Sequence, residues 1–302
     1  MPSSLINGVR INHLQIECQS GDECEDIVMV HGLATNLAFW YIPHAVAFSE
    51  RYRVTLYDLR GHGRSGKTVS GYTPENMALD LQLLLNDLGI EKAHFIAHSF
   101  GGAVVMKLAC MNSAYVSSLI LVDTHMHVVR QLKNGKEWAF GKKIQPILHQ
   151  YGLNLDVHEP YFGYKLLYSV ARLQIKNTEI PCELEKILGS FMGRNSKRTA
   201  TRWLELMETT QAEKELMGDD EISFNQLRNF SFPILTMYGE DSQAVPTGEQ
   251  LLKVWSHADF IKIPGANHFF PITHPLVFID HCREFLDGIL TQNLSIRADD
   301  SA

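Results

Sequence analysis

The sequence lacks the features that would indicate a membrane or nucleic-acid-binding protein. No stretch of its 302 residues approaches the ~18 consecutive apolar residues that span a bilayer. The first eight residues contain no charged segment followed by an apolar run, so no signal peptide is expected. Lys and Arg form no cluster that could follow a phosphate backbone, and the net charge is −7. We therefore expect a cytoplasmic protein that has no transmembrane segment and binds no nucleic acid.

Cysteine is scarce and scattered. The five cysteines are Cys18, Cys24, Cys110, Cys182 and Cys282. None belongs to a Cys-x-x-Cys pair, so reduced thiols are expected. His125 and His127 form a His-x-His pair, but no Asp, Glu or Cys cluster at ligand spacing accompanies it. We expect no metal and no cofactor, and we expect these histidines to face substrate or solvent.

Short apolar runs closed by Gly, Asp or His predict strands that are buried on both faces, as in a parallel sheet. These runs are 26–31, 53–58, 94–99, 116–123, 233–239 and 258–264. Helical segments alternate with them. One begins at the cap Thr73 and Pro74, another spans 101–111, and a third spans 275–289. This alternation predicts a doubly wound α/β fold.

The pattern changes between residues 124 and 230. Strand-like runs vanish there, and aromatic and Met residues occur at mixed spacings, which indicates a mostly helical insertion. The predicted organisation is therefore an α/β core in two parts, 1–123 and 231–290, interrupted by a helical cap at 124–230. A polar tail at 291–302 is expected to fray.

Ser99 is the predicted nucleophile. It lies between a predicted strand and the helix that follows, with the small residues Ala97 and Gly101 two positions away on either side. A sharp strand-to-helix turn of this kind exposes the serine hydroxyl. The helix start also favours negative charge that develops beside the hydroxyl. A serine that merely caps the helix is the alternative.

A serine nucleophile needs a base, and the base needs a carboxylate that orients it. His268 follows a predicted strand, in a loop opened by Gly265, so it should reach the sheet edge where Ser99 emerges. Asp241 follows another strand and completes the chain order Ser, Asp, His. We predict Asp241 as the orienting acid, with Asp123 as its rival.

Acyl transfer also requires donors for an oxyanion. The backbone N–H of Phe100 follows the nucleophile, and that of Leu33 lies in the loop after the first buried strand. We predict these two amides as the donors. Trp40, His98, Phe100 and Trp138 are the residues we expect to touch substrate.

With these residues assembled, the chain resembles the α/β-hydrolase superfamily, in particular its esterase-like and C–C-hydrolase-like branch. The motifs that carry the resemblance are the segments 31–34, 58–65 and 97–102 together with the Asp241 and His268 loops. The resemblance implies a mostly parallel, eight-stranded twisted sheet flanked by helices, with an inserted helical lid. It also implies that the segment 58–65 is structural. Ala97 stands where the family's nucleophile motif usually has glycine.

The nucleophile type narrows the activity. Haloalkane dehalogenases and epoxide hydrolases of this fold use aspartate at the position of Ser99, so the serine disfavours both. We expect a serine hydrolase that cleaves an ester, thioester or related acyl bond of a small, largely apolar or aromatic substrate. The alternatives are a C–C hydrolase, an acyltransferase, cyclase or lyase with the same triad, and a receptor-like ligand-binding protein with slow turnover.

Overall fold

A computed structural model describes residues 2–21, 24–131, 139–159, 161–176 and 196–299. The strands are β1 (Ser3–Ile6), β2 (Val9–Ile16), β3 (Asp26–Val30), β4 (Arg53–Tyr57), β5 (Ala93–His98), β6 (Val116–Val122), β7 (Ile234–Gly239) and β8 (Asp259–Ile263). They form one eight-stranded sheet in the order β1-β2-β4-β3-β5-β6-β7-β8. β1 and β2 pair antiparallel, and β2 pairs antiparallel with β4, whereas all the other neighbours are parallel.

The central strands explain why the sheet is mostly parallel. Every residue of β3, β5 and β7 is buried, because helices cover both faces of the sheet there. The predicted α/β-hydrolase fold is confirmed. The sequence patterns did not predict β1 and β2, where polar and apolar residues mix. Asn7 and Gly8, both with left-handed backbone, form the tight turn that joins these strands.

Helices connect the strands. They are α1 (Ala38–Trp40), α2 (Val46–Phe48), α3 (Pro74–Asp87), α4 (Phe100–Met111), α5 (His127–Gln131), α6 (Ala139–Gln150), α7 (Phe162–Ile175), α8 (Ser196–Thr209), α9 (Ala212–Leu216), α10 (Phe224–Leu227), α11 (Val245–Leu251), α12 (Phe270–Thr273) and α13 (Pro275–Asp299). A kinked segment (Tyr41–Ala45), with extended backbone at Ile42, separates α1 from α2, and a 3₁₀ turn (Ser113–Tyr115) precedes β6. As predicted, the Thr73 side chain caps α3 by accepting from the Asn76 N–H, and Pro74 opens that helix. The last helix continues through Asp299, beyond its predicted end.

The inserted segment contains α5 to α10 and, within its described residues, no strand. Its later helices contact the loop that precedes α3. The Glu215 carboxylate accepts from the backbone N–H groups of Gly71 and Tyr72 at 2.8 and 2.7 Å. The Gln211 N–H donates to the Val69 carbonyl at 2.8 Å. These bonds hold α8 and α9 over the carboxyl edge of the sheet. The boundaries of a separate cap domain stay a prediction.

Two further expectations concern the state of the cysteines and the presence of membrane-spanning helices. The sulfur atoms of Cys18 and Cys24 are bonded to each other, so the prediction that all five cysteines are reduced is wrong at this pair. Their Cα atoms lie 6.3 Å apart because both residues belong to the short connection between β2 and β3. Among the described residues, no helix is both long and apolar enough to cross a membrane.

Candidate active site

Ser99 occupies a strained turn between β5 and α4. Its backbone angles, φ 55° and ψ −121°, fall in the left-handed half of conformational space that residues with a Cβ rarely adopt. The Ser99 N–H donates to the Val122 carbonyl at 2.8 Å, which ties the turn to β6. The Gly102 N–H donates to the Ser99 carbonyl at 3.0 Å. The chain therefore reverses sharply at the predicted nucleophile.

Glycines make this turn sterically possible. A Cβ at Gly101 would lie 2.7 Å from the carbonyl oxygens of both Val30 and His31, so only glycine lets α4 approach the end of β3. A Cβ at Gly102 would collide with the Thr124 hydroxyl at 2.0 Å. The start of α4 thus packs directly on the ends of β3 and β6.

His268 links Ser99 to a buried carboxylate. Its Nε2 lies 3.0 Å from the Ser99 Oγ, and its Nδ1 lies 2.7 Å from Asp123 Oδ1. The His268 side chain is 27% exposed, whereas the Asp123 side chain is fully buried. A continuous chain of hydrogen bonds therefore runs from the interior to the serine hydroxyl, the arrangement that activates a serine for nucleophilic attack.

The prediction that Asp241 orients His268 is wrong, because the structure places the Asp123 carboxylate on Nδ1. The reason is strand order. Asp123 ends β6, which lies directly beside β5 and Ser99, whereas Asp241 follows β7, one strand farther away. Both aspartates follow a strand and both satisfy the chain order Ser, Asp, His, so neither signal separates them. From the sequence alone, Asp123 was only the alternative to Asp241 as the orienting acid.

The Asp241 segment holds the His268 loop in place instead. The Asp241 N–H donates to the Ala266 carbonyl at 2.9 Å, and the Glu240 carboxylate accepts from the Gly265 N–H at 3.0 Å. A Cβ at Gly239 would lie 2.5 Å from the Asn267 carbonyl oxygen, so glycine permits this close approach.

Asp123 has further donors besides His268. The Gly239 N–H donates to its Oδ2 at 2.9 Å, and the Ser242 hydroxyl donates to its Oδ1. A buried carboxylate requires such partners because it has lost its hydration. Burial, together with the nearby Asp123 charge, raises the pKa of Tyr238 well above 10. Ser242 was not predicted, since a lone serine after a strand carries no recognisable signal.

The predicted substrate contacts at His98 and Trp40 are wrong, because both side chains lie in the core. His98 is 1% exposed and packs between Phe39 and His268, with ring centroids 4.8 and 4.7 Å away. Its Nε2–H donates to the His268 carbonyl at 2.9 Å, and burial lowers its pKa well below 6.5. Trp40 is fully buried against His98 and Phe278. Trp138 lies outside the described residues.

One predicted oxyanion donor, Phe100, follows Ser99 in the chain, and the other, Leu33, belongs to a loop that packs against Ser99. Phe100 opens α4, and Leu33 follows Gly32, whose Cβ would lie 3.0 Å from the Ser99 Cβ. Neither the Leu33 nor the Phe100 N–H has a hydrogen-bond partner within the described part of the chain. Their role as donors stays a prediction.

Two buried histidines support the loops beside Ser99. The His31 Nε2 accepts from the Leu59 N–H at 3.1 Å, and the His62 Nδ1–H donates to the Arg60 carbonyl at 3.0 Å. The two rings lie 5.5 Å apart. Burial lowers the pKa of each to about 4, so both are neutral near pH 7.

A small cavity of about 20 Å³ lies beside Phe100, the residue after Ser99, and is walled on its other sides mainly by the insertion; Ser99 and His268 do not line it. Phe100 lines it together with His125, His127 and Tyr161, and a substrate contact at Phe100 stays a prediction. The Tyr161 hydroxyl lies 2.8 Å from the His127 Nδ1, and the His125 ring lies 6.0 Å from that of His268. The described residues contain no group of three His, Cys, Asp or Glu side chains that could hold a metal ion.

A family model of the alpha/beta hydrolase fold matches residues 27–275, which covers both parts of the core and the insertion. The chain belongs to the α/β-hydrolase family. This is a family of hydrolytic enzymes, and the match confirms the resemblance inferred from the motifs.

Individual similar proteins extend this comparison. The chain is 25% identical over 292 residues to a "Putative carbamate hydrolase RutD" of Caulobacter sp. (strain K31), covering 95% of this chain and 99% of that protein. It superposes on the esterase RhEst1 from Rhodococcus sp. ECU1013 with a TM-score of 0.68 at 20% identity, covering 95% and 98% of the two chains. The enol-lactonase from Burkholderia xenovorans LB400 gives a TM-score of 0.65 at 20% identity, with 95% and 100% covered. The two structures show the shared fold.

Substituting Gly101 tests the packing at the start of α4. We expect Gly101→Ala to lower the free energy of unfolding by about 1–3 kcal/mol, because the new methyl group must displace the ends of β3. Urea denaturation measures this change. Gly163→Ala is the matched control: Gly163 is an exposed residue of α7 with nothing within 4 Å of its Cβ position, so alanine there should stabilise by up to about 1 kcal/mol. Equal effects of the two substitutions would contradict the packing argument.

The neutral histidines predict an acid-sensitive stability. His31 and His62 have a folded pKa of about 4, below the unfolded value of 6.5, so the unfolded chain binds more protons between these pH values. The free energy of unfolding should therefore fall on acidification from pH 7 towards pH 4, by roughly 1.4 kcal/mol per pH unit for each histidine. Urea denaturation at several pH values measures the slope. His62→Gln should flatten it, whereas the exposed His257→Gln should not; an unchanged slope in His62→Gln would argue against the prediction.

Proposed function

We propose that the protein is a serine hydrolase in which Ser99 is the nucleophile, His268 the general base and Asp123 the orienting acid. The observation that carries the proposal is the unbroken relay from Asp123 Oδ1 through His268 to Ser99 Oγ, at 2.7 and 3.0 Å. Both distances lie within the range over which a proton is transferred through a hydrogen bond. The strained turn at Ser99, a feature of nucleophile elbows, supports the same assignment.

The chemistry follows the two-step route of such a triad. The Ser99 oxygen attacks the acyl carbon while its proton moves to His268 Nε2, and His268 then donates that proton to the leaving group. Water, deprotonated by His268, attacks the resulting acyl-serine and releases the acid. Asp123 fixes the Nδ1–H tautomer of His268, and its negative charge stabilises the imidazolium that forms in each step.

The backbone amides of Leu33 and Phe100 would stabilise the oxyanion of both tetrahedral intermediates. Their N–H groups flank Ser99 and have no other acceptor within the described part of the chain. The start of α4 adds the favourable end of its dipole to the same position.

The substrate class we propose is a small carboxylic ester, thioester or lactone. The residues beside Phe100 combine aromatic surface with the imidazoles of His125 and His127, and the cavity between them is only about 20 Å³, so we propose a small acyl group. A carbamate is the second candidate, because the full-length relative from Caulobacter is called a putative carbamate hydrolase. Carbamate cleavage uses the same attack on an acyl carbon.

Labelling with a small fluorophosphonate tests the nucleophile. We expect one adduct by intact-protein mass spectrometry, mapping to Ser99 and absent from Ser99→Ala, because only an activated serine reacts with this reagent. Turnover of p-nitrophenyl esters from acetate to decanoate, and of a p-nitrophenyl carbamate, would rank the substrate classes. A folded protein with neither adduct nor turnover would contradict the proposal and favour a receptor-like ligand-binding protein.

The identity of the acid has a separate test. We expect Asp123→Asn to reduce kcat by up to about 10⁴-fold, because the amide cannot hold His268 in the required tautomer. Asp241→Asn makes the same chemical change one strand away and should reduce kcat much less. Circular dichroism of both variants controls for folding. A greater loss of kcat in Asp241→Asn would restore the original assignment of the acid.

A further inference from the structure

A second and larger cavity lies on the other side of the loop that follows β3. Its volume is about 200 Å³, and its walls are the residues 34–38 of that loop, the turn 61–64 after β4, and the first two turns of α8. Neither Ser99 nor His268 lines it. It is smaller than the ~300 Å³ at which typical ligand pockets begin, so it suits a small ligand.

Three arginines surround this cavity. Arg64 belongs to the turn after β4, and Arg198 and Arg202 lie four residues apart on α8, on one face of that helix. Within the described part of the chain, none of the three guanidinium groups has an acidic partner. Three positive charges that converge on one cavity repel one another, so an anion between them would stabilise the arrangement.

The acidic residue in the cavity wall does not serve as that anion. Asp58 is 1% exposed, and its carboxylate accepts from the Asn12 side chain and from the backbone N–H groups of Leu37 and Arg64, each at 2.7 Å. These donors come from β2, from the loop after β3 and from the turn after β4. The Asp58 charge is thereby committed to holding the cavity walls together.

Two buried polar atoms in the wall also lack partners. Trp203 is 2% exposed, and its indole Nε1–H donates to no group among the described residues. His62 is 4% exposed; its Nδ1–H donates to the Arg60 carbonyl, so its Nε2 is an acceptor without a partner in the described chain, and only a ligand with a donor, such as the P–OH of a phosphate monoester, can pair with it. An unsatisfied buried polar group is destabilising, and a ligand that pairs with it removes this penalty.

We propose that this cavity binds the carboxylate or phosphate group of a small organic ligand. The arginines supply the forked, charge-assisted donors that planar and tetrahedral oxyanions accept, and Trp203 supplies a further donor beside an aromatic surface. The site is built from the core loop and from α8 together, so ligand binding joins the insertion to the core. The proposal does not depend on the activity of Ser99.

Isothermal titration with benzoate, phenyl phosphate and the neutral benzamide tests the proposal on the full chain. We expect benzoate or phenyl phosphate to bind and benzamide not to bind, since the arginines select for negative charge. Preference for benzoate would identify the ligand as a carboxylate, and preference for phenyl phosphate would identify it as a phosphate ester. In Arg198→Gln/Arg202→Gln the dissociation constant should rise more than about 10-fold, because two charge-assisted donors are lost.

Control variants keep the result interpretable. Arg228→Gln removes an exposed arginine outside the cavity and should bind the anion as the unmodified protein does. Arg202→Lys keeps the charge but loses the forked donor, so it should bind more weakly than the unmodified protein and more tightly than the double variant. Ser99→Ala should bind the anion normally, which separates this proposal from the proposed catalysis. Absence of binding by both anions, or unchanged binding in the double variant, would overturn the proposal.

Discussion

The left-handed backbone of Ser99 is the constraint on which the rest of the site depends. A residue with a side chain accepts this conformation only when its surroundings compensate the strain. Here the compensation comes from the hydrogen bond of the Ser99 N–H to Val122 and from the close packing of Gly101 on the end of β3. The same packing sets the positions of the loop after β3 and of the N-terminus of α4, which are the two elements that provide the proposed oxyanion donors.

The buried carboxylate of Asp123 organises the other half of the site. It sits at the end of β6 with a positive φ of 49°, and it accepts hydrogen bonds from His268, Gly239 and Ser242. Each donor belongs to a segment that follows β7 or β8. One side chain therefore joins the ends of three adjacent strands. His268 points at Ser99 because two hydrogen bonds fix it: its Nδ1 bonds to Asp123, and its carbonyl accepts from the His98 Nε2–H.

The insertion contributes chemistry of two kinds around this core. Beside Phe100 it presents imidazole and phenol groups to the proposed catalytic site, and beside the loop after β3 it presents the arginines of α8 to the second cavity. Phe100, which follows the elbow, lines the first cavity, whereas residues 34–38, in the same loop as Leu33, line the second. A ligand in the second cavity would contact the loop of Leu33 without touching Ser99.

The sequence by itself predicted the fold class, the positions of the buried strands along the chain, the sharp turn at Ser99 and the placement of His268 beside it. These depend on local signals: continuous apolar runs, a small residue two positions after a serine, and a histidine in a loop after a strand. It could not separate Asp123 from Asp241, because both follow strands and only the lateral order of strands in the sheet decides which carboxylate lies beside Ser99. The sequence likewise did not predict that Trp40 and His98 face the core, or that Cys18 and Cys24 form a disulfide. Nor did it predict that Arg64 and the arginines of α8 line one cavity. Each of these depends on contacts between residues that are set by how the sheet and the insertion pack, and periodicity along the chain carries no information about such contacts.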